Sequence, residues 1–412
     1  MLMPVEDAQR QILSHVKAHG RVEQRPLTEA QDCLLAQTAE AADDIPPFSN
    51  TSMDGYAVRA QDVRGAGQEP VVLDVLGTVR AGHPSEETLK AGECFKIMTG
   101  SPVPAGADAV VPVEWTEALD SAHVRILRAV EPGAHLRFQG EDMRKGRAVL
   151  QAGTLLTPPM LGVLATLGLS RVKVAAPPRV AILSTGDELR DPDMPLEPGT
   201  IRNSNSYALF GAIRAAGGQP VLYPTAPDEP EAIRALFTKA AGECDLVVSS
   251  GGVSVGDYDF VKPVIESLGK LSLWRVNLKP GKPLAFGQVL GVPILGLPGN
   301  PVSALVTFEL FVRPAIRTML GDSRWQRPKL RLALASDFTE VTDRRQYVRC
   351  RLILDQGHLK LWPHTNQGSA VQTSWQDVDA LMIIPENTGP YRAGDEVDAL
   401  VLSTTHIHSQ SS

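Results

Sequence analysis

Apolar positions change their spacing several times along the chain, and each change predicts a different kind of element. Val5, Ala8, Ile12 and Val16 make the stripe of a first helix, which Gly20 ends. Leu27 to Ala42 begins with helical spacing and is cut off by Asp43-Asp44-Ile45-Pro46-Pro47. From Phe48 to about Gly140 the apolar runs are short and valine-rich. They are broken by Gly82-His83-Pro84, Thr99-Gly-Ser-Pro102 and Pro104-Ala-Gly106, which predicts a β-rich domain. Glu141-Asp142-Met143 lies in a turn between Gly140 and Gly146. Thr157-Pro158-Pro159 then opens a helix with a capping threonine, Gly168 stops it, and Arg171 to Val174 returns as a strand.

Ala175-Ala-Pro-Pro178 is the clearest linker, and beyond it the pattern alternates between strand and helix. Val180 to Ser184 and Val221 to Tyr223 read as strands, Asn205 to Ala216 and Pro230 to Ala241 as helices, so a layered α/β domain with a mainly parallel sheet is expected. Pro328 begins a last section of short alternating runs, Leu330 to Leu334, Val348 to Leu352, Leu359 to Leu361 and Leu381 to Ile384, which fits a small β-barrel or sandwich. Thr404 to Ser412 reads as a frayed tail in which His406 and His408 are solvated.

The densest chemistry lies between Asp245 and Pro301. Asp245 to Ser249 is a buried-strand pattern that empties into Ser250-Gly-Gly-Val-Ser-Val-Gly256. Phe260, Val261, Val264, Ile265 and Leu268 then recur at helical spacing up to Gly269. Glycines let backbone approach a ligand, and free N–H groups at a helix start favour an anion, so this is the layout of a phosphate cradle. It matches neither the P-loop nor the dinucleotide fingerprint. Leu271 to Leu278 reads as a strand leading into Lys279-Pro-Gly-Lys-Pro283, and Val292 to Leu297 as a strand leading into Pro298-Gly-Asn-Pro301, where Asn300 can cap a helix starting at Pro301. Loops at the carboxyl ends of strands in an open parallel sheet line one crevice.

Composition narrows the chemistry. A chain of 412 residues exceeds one ordinary core, and its 43% apolar content is ample for burial. With 40 basic against 47 acidic residues, net charge −7, a general nucleic-acid binder is disfavoured and any anion site must be local. The four cysteines, at 33, 94, 244 and 350, form no CxxC pair, which argues against zinc or a disulfide framework and fits a reducing cytoplasm. No signal peptide or membrane-spanning run is expected.

Several motifs together resemble one family. Pro46-Pro47-Phe48 with Met53-Asp54-Gly55-Tyr56-Ala57-Val58, Ile97-Met98-Thr99-Gly100 with Pro102 and Pro104, Gly140-Glu141-Asp142, and Ser184-Thr-Gly-Asp-Glu-Leu189 are similar to motifs of the MoeA family. So are Ser249 to Gly256, Lys279 to Pro283 and Leu297 to Pro301, in the family's order over essentially the whole chain. The resemblance implies insertion of molybdate into adenylated molybdopterin, with release of AMP and magnesium assisting, as in MoeA proteins and the E domain of gephyrin. It implies a homodimer of four-domain subunits, and a MogA-type adenylyltransferase as partner. The division expected is a helix and lead-in at 1–26, a connecting domain at 27–46 plus 141–177, a β-rich domain at 47–140, a MogA-like α/β domain at 178–327, and a C-terminal β-barrel at 328–412.

Such a site needs backbone donors, ammonium groups and carboxylates together. Gly251, Gly252 and Ser254 are the candidate cradle, Lys279 and Lys282 the candidate molybdate pair, and Pro298 and Pro301 substrate-site prolines. Glu188, Asp228 and Asp259 are candidate magnesium ligands and catalytic acids. Asp54, Thr99 and Asp142 join the catalytic set only through the resemblance, which has them face the site across the dimer interface. Bland readings stand beside these. Asp259 and Asp228 each precede a helix and suit a cap, the two lysines suit a solvated loop, and Asp54 and Thr99 suit turn chemistry. Two other functions share the resemblance: adenylation of molybdopterin on the same pathway, and a gephyrin-like scaffold. The residues do not separate molybdate from tungstate.

Overall fold

The computed structural model describes residues 2–251, 261–404 and 407–409, apart from the side chains of Leu273, Trp274, His408 and Ser409. The chain divides into two compact units. One comprises Met1–Glu23, Asp32–Leu34 and Ala175–Ser412; the other comprises Gln24–Gln31 and Leu35–Val174.

The first unit begins with helix α1 (Val5–Ser14), and Val5, Ala8, Ile12 and Val16 are all buried, as their spacing predicts. Its centre is a six-stranded sheet. The elements run β1 (Arg179–Ser184), α2 (Ser204–Ala215), β2 (Gln219–Leu222), α3 (Pro230–Glu243), β3 (Leu246–Ser250), α4 (Val261–Leu268), β4 (Gly269–Arg275), β5 (Pro283–Val289), β6 (Val292–Leu297), α5 (Pro301–Thr307) and α6 (Arg313–Met319). The strand order is β2-β1-β3-β6-β5-β4. Strands β2, β1, β3 and β6 pair in parallel; β5 is antiparallel to both β6 and β4. Five strands therefore share one direction and end at one edge.

Alternate residues of each strand enter opposite cores because side chains in a strand alternate faces. Val180, Ile182, Val248, Leu295 and Leu297 pack with Ile12, Leu209, Ile213, Phe308 and Phe311 on one face. Ala181, Leu183, Val247 and Ile294 pack with Ile233, Phe237, Val264 and Ile265 on the other. A sheet covered on both faces demands strands apolar at nearly every position, which β1 and β3 show.

Strands β7 (Lys329–Leu334), β8 (Arg345–Asp355), β9 (His358–Pro363), β10 (Ala380–Ile384) and β11 (Glu396–Val401) close a five-stranded barrel. The path β8-β9-β7-β11-β10 returns to β8 through the β8–β10 pairing. Val348, Cys350, Leu361, Ala380, Met382 and Ala399 fill its interior.

The second unit carries a six-stranded sheet in the spatial order 109–112, 55–58, 93–97, 71–79, 123–126, 116–118. Tyr56, Val58, Leu73, Cys94, Val111, Val124 and Ile126 form its core. Helix Pro158–Thr166 lies in the same unit, before strand Arg171–Ala175.

Several expectations are corrected. Leu27 to Ala42 contributes only a 3-10 turn at Leu27–Glu29 and the short strand Ala39–Glu40, because its apolar residues meet extended chain, as in the Leu35–Val174 bridge. Thr157 stands at its helix start without a side-chain cap; its carbonyl accepts from Met160 and Leu161 instead. Asn300 likewise does not cap α5, since its amide donates to Ser369 Oγ at 3.0 Å. Gly269 is not a terminating loop residue but the first residue of β4, where a Cβ would fall 1.9 Å from the Gln288 carbonyl oxygen. The tail is partly paired, His408 and Ser409 lying beside Ile353 and Leu354, while His406 lies outside the described residues.

Gly55 shows how a motif letter follows from packing. It pairs with Ile97 on one side and Pro112 on the other, and an added Cβ would fall 2.0 Å from the Val111 carbonyl oxygen. A backbone atom cannot rotate away, so Gly55→Ala should destabilise the protein by about 3 kcal/mol. Gly65, with nothing within 4 Å of the equivalent point, serves as control, and its alanine variant should stay within about 0.5 kcal/mol. Denaturant melts compare the two, and equal stability of both variants would refute the packing argument.

Candidate functional site

The carboxyl edge of the sheet opens into a cleft of about 1380 Å³. Thr185, Gly186, Glu188, Asp228, Gly251, the turn 279–283, Pro298, Gly299 and Asn300 line one side; residues of the barrel and its loops, among them Phe338, Glu340, Arg344, Trp362 and His364, line the other. The position follows from topology. After β1 the chain crosses to β2, then back past β1 to β3, so the strand order reverses between β1 and β3, the place where open α/β sheets leave a crevice.

Glu188 and Asp228 come from neighbouring loops, after β1 and β2, and local bonds bring those loops together. Thr185 bridges Ala226, the Gly186 N–H donates to the Ala226 carbonyl, and the Asp228 N–H donates to Asp187 Oδ1 at 3.3 Å. Gly186 has φ 142°, and a Cβ there would lie 2.4 Å from Glu188 Oε2, so the absent side chain makes room for the carboxylate. The Ile201 N–H donates to the Glu188 carbonyl at 2.8 Å and anchors the same turn.

The glycine turns approach one another at backbone level. Gly251, at φ 88°, donates its N–H to the Leu297 carbonyl at 3.1 Å. Gly252, Ser254 and Asp259 lie outside the described residues. Pro298 is buried in the cleft wall; Pro301 is the first residue of α5 and does not line the cleft. Gly281, φ 110°, lets the turn between the two lysines rest on α5, since a Cβ would meet Thr307 Cγ2 at 2.7 Å.

The lysines do not form an isolated cationic pair. Lys279 Nζ is bonded to Glu340, which also accepts from Gln346 Nε2 at 2.8 Å. Partial burial pushes the Glu340 carboxyl up, but the bonds from Lys279 and Gln346 outweigh it and hold the group below its ordinary value. Lys282 is exposed and has no ion pair among the described residues, so it is the cation of this turn left for a ligand.

Glu340 carries no sequence signal, being 61 positions from Lys279. Arg349, wholly buried, was equally invisible. It donates to the carbonyls of Asn366 at 2.9 Å and Gly368 at 3.3 Å and so shapes the loop that forms part of the cleft wall. Burial pushes its pKa down to about 10, which leaves it cationic at neutral pH. Ser369 ties that loop to α5, accepting from the Val302 N–H and from Asn300.

In the second unit the structure brings Asp54 and Thr99 together. Asp54 Oδ1 accepts from the Thr99 N–H at 2.7 Å and from Thr99 Oγ1 at 2.8 Å. Asp142 is exposed in the turn after Gly140, its N–H bonded to the Ile45 carbonyl; among the described residues no hydrogen bond joins it to Asp54 or Thr99.

A three-layered α/β domain with a mainly parallel sheet and a polar cleft at its carboxyl edge, a closed barrel forming the cleft's other wall, and a separate β-rich unit define a multidomain protein suited to an anionic small molecule. Comparison with known proteins identifies which one. The model described as MoeA N-terminal region (domain I and II) matches residues 3–168, that of a probable molybdopterin binding domain residues 181–318, and that of the MoeA C-terminal region (domain IV) residues 331–402. The chain belongs to the MoeA family. A protein of Mycobacterium tuberculosis named molybdopterin molybdenumtransferase 2 is 40% identical over 380 residues, 90% of this chain and 93% of its own length. The molybdopterin molybdenumtransferase of Haemophilus influenzae is 33% identical, over 96% of this chain and 98% of its own. The crystal structure of a molybdopterin biosynthesis MoeA protein from Pyrococcus horikoshii OT3 superimposes with a TM-score of 0.85 at 31% identity, covering 97% of this chain and all of that one.

The Asp54–Thr99 contact has a measurable consequence. The backbone N–H of Thr99 first, and then its hydroxyl, hold the Asp54 carboxyl below its ordinary value of 3.8. A native pKa below the unfolded one adds stability above the unfolded value, and that stability is lost as pH falls through the native value. An NMR titration should place the Asp54 midpoint below 3.8, and Thr99→Ala, which keeps the backbone donor, should raise it part of the way. A parent midpoint at or above the ordinary value would refute the contact.

Proposed function

We propose that this chain is a molybdopterin molybdenumtransferase, transferring molybdate into adenylated molybdopterin with release of AMP to form molybdenum cofactor. The observation that carries the reading is the cleft in which the Gly251 and Gly299 turns, Lys282, which has no ion pair among the described residues, and the carboxylates Glu188 and Asp228 converge. A phosphate-bearing pterin and an oxyanion need backbone and ammonium donors together, and an acidic chain supplies attraction only where such donors are local. Two carboxylates on an open cleft suit magnesium, which favours one or two protein carboxylates completed by substrate phosphates and water. Glu188 and Asp228 would hold it, and it would neutralise phosphate charge as AMP departs. Among the described residues no group of three or more His, Cys, Asp or Glu side chains is placed to hold a metal ion. Homodimer assembly and a cytoplasmic setting complete the proposal. No helix among the described residues is long and apolar enough to cross a membrane.

The test is AMP release from adenylated molybdopterin with and without molybdate, before and after chelation of magnesium. AMP release that requires both molybdate and the restored cation supports the reading. Consumption of ATP with adenylation of molybdopterin would replace it by the neighbouring step of the pathway. A charge-assisted hydrogen bond contributes about 1.5 to 3 kcal/mol, so Lys282→Gln should raise the molybdate concentration for half-maximal rate roughly 10- to 150-fold. Its melting temperature should hardly move, because among the described residues the ammonium takes part in no hydrogen bond or ion pair. Unchanged molybdate dependence in that variant would remove Lys282 from the site.

A further inference from the structure

Asn205 lies in the first turn of α2, and its side-chain amide joins two strand ends. Nδ2 donates to Ser250 Oγ at 2.8 Å and to the Gly299 carbonyl at 2.7 Å. Ser250 ends β3, and Gly299 lies in the turn after β6. Chemistry fixes the amide's orientation: the Gly299 carbonyl can only accept, so the NH₂ must face it. The same two turns meet directly through the Gly251 N–H and the Leu297 carbonyl, and a Cβ on Gly299 would lie 3.7 Å from Gly251 Cα.

The start of α2 is already secured without Asn205. Asn203 accepts from the Ser206 N–H at the helix start, and Ser206 Oγ bonds Ser184 Oγ at 2.6 Å at the end of β1. Leu209 and Ile213, wholly buried, dock the helix on the sheet. The amide of Asn205 is therefore spent on the cleft turns rather than on holding the helix.

We propose that Asn205 is a positioning residue for the anion cleft, setting the separation of the Ser250–Gly251 and Pro298–Gly299 turns so that their backbone can receive a phosphate group. The inference rests on reading this cleft as the place where the nucleotide end of the substrate binds. Asn205→Asp keeps the shape and loses the donors, setting a carboxylate against the Gly299 carbonyl. Asn205→Ala removes both contacts, and Ser250→Ala removes one while leaving the bond to Gly299.

The probe is AMP, titrated calorimetrically into the full-length parent and each variant, with thermal melts, amide exchange of the peptides containing Gly251 and Gly299, and the AMP-release assay run in parallel. Loss of two hydrogen bonds predicts AMP binding weakened about 5- to 150-fold in the Asp and Ala variants, and less in Ser250→Ala. Exchange should quicken in the two turn peptides, with the melting midpoint held within about 2 °C. Unchanged AMP affinity overturns the proposal, as does a midpoint that falls in step with affinity, or a parent that binds no AMP. A parent that binds AMP through Asn205 yet never releases it from adenylated molybdopterin sinks the transferase reading and leaves the positioning role standing. An active parent matched by a fully active Asn205→Asp sinks the positioning role alone.

Discussion

The constraint on which the α/β unit depends is that both faces of its sheet are buried. Helices α1, α2, α5 and α6 contribute to the core on one face, and α3 and α4 to that on the other, so no sheet face is left for chemistry. The edge where five strands end opens into the cleft, and polar residues collect there because the strands themselves must be apolar to sit between two helical layers. The cleft is thus a product of the burial pattern before it is a product of any particular side chain.

A cleft at strand ends needs its loops fixed, since loops by themselves are the least determined part of a fold. Here the fixing is done by short polar contacts from outside each loop. Ser184 holds Ser206, the Asp187 carboxylate accepts from Asp228, Glu340 engages Lys279, and Ser369 receives Asn300. The barrel participates through Glu340 and Ser369, so it forms both a wall of the cleft and a support for the turns opposite. One lysine is spent on that support, and Lys282, immediately after Gly281, keeps its charge for a ligand. The division of labour between two chemically identical residues comes from a carboxylate that the turn itself does not contain.

Much of the fold was legible because burial writes itself into spacing. The α1 stripe, the apolar runs of β1, β3 and β6, and the linker at Ala175 to Pro178 all follow from period and punctuation. Failures fell where local chemistry was outbid by distant partners: Asn300 turned to Ser369 and left its helix uncapped, and Leu35 joined a bridge to Val174 and left a helical pattern unused. Of the cleft lining, Gly251, Glu188 and Asp228 stand in motifs at strand ends that the sequence already singled out, and the structure places all three along the cleft. Asn205, Glu340 and Arg349 were not legible, because each acts on a segment 45 or more, 61, or 17 to 19 positions away, and no spacing rule spans such gaps.

A structure determined with AMP, magnesium and molybdate present tests the central claim most directly, because it asks where the anions lie. The account predicts the AMP phosphate at the Gly251 and Gly299 turns, magnesium between that phosphate and the carboxylates of Glu188 and Asp228, and molybdate within reach of Lys282. AMP bound away from the carboxyl edge of the sheet, or a magnesium ion with neither Glu188 nor Asp228 in its coordination sphere, would contradict it.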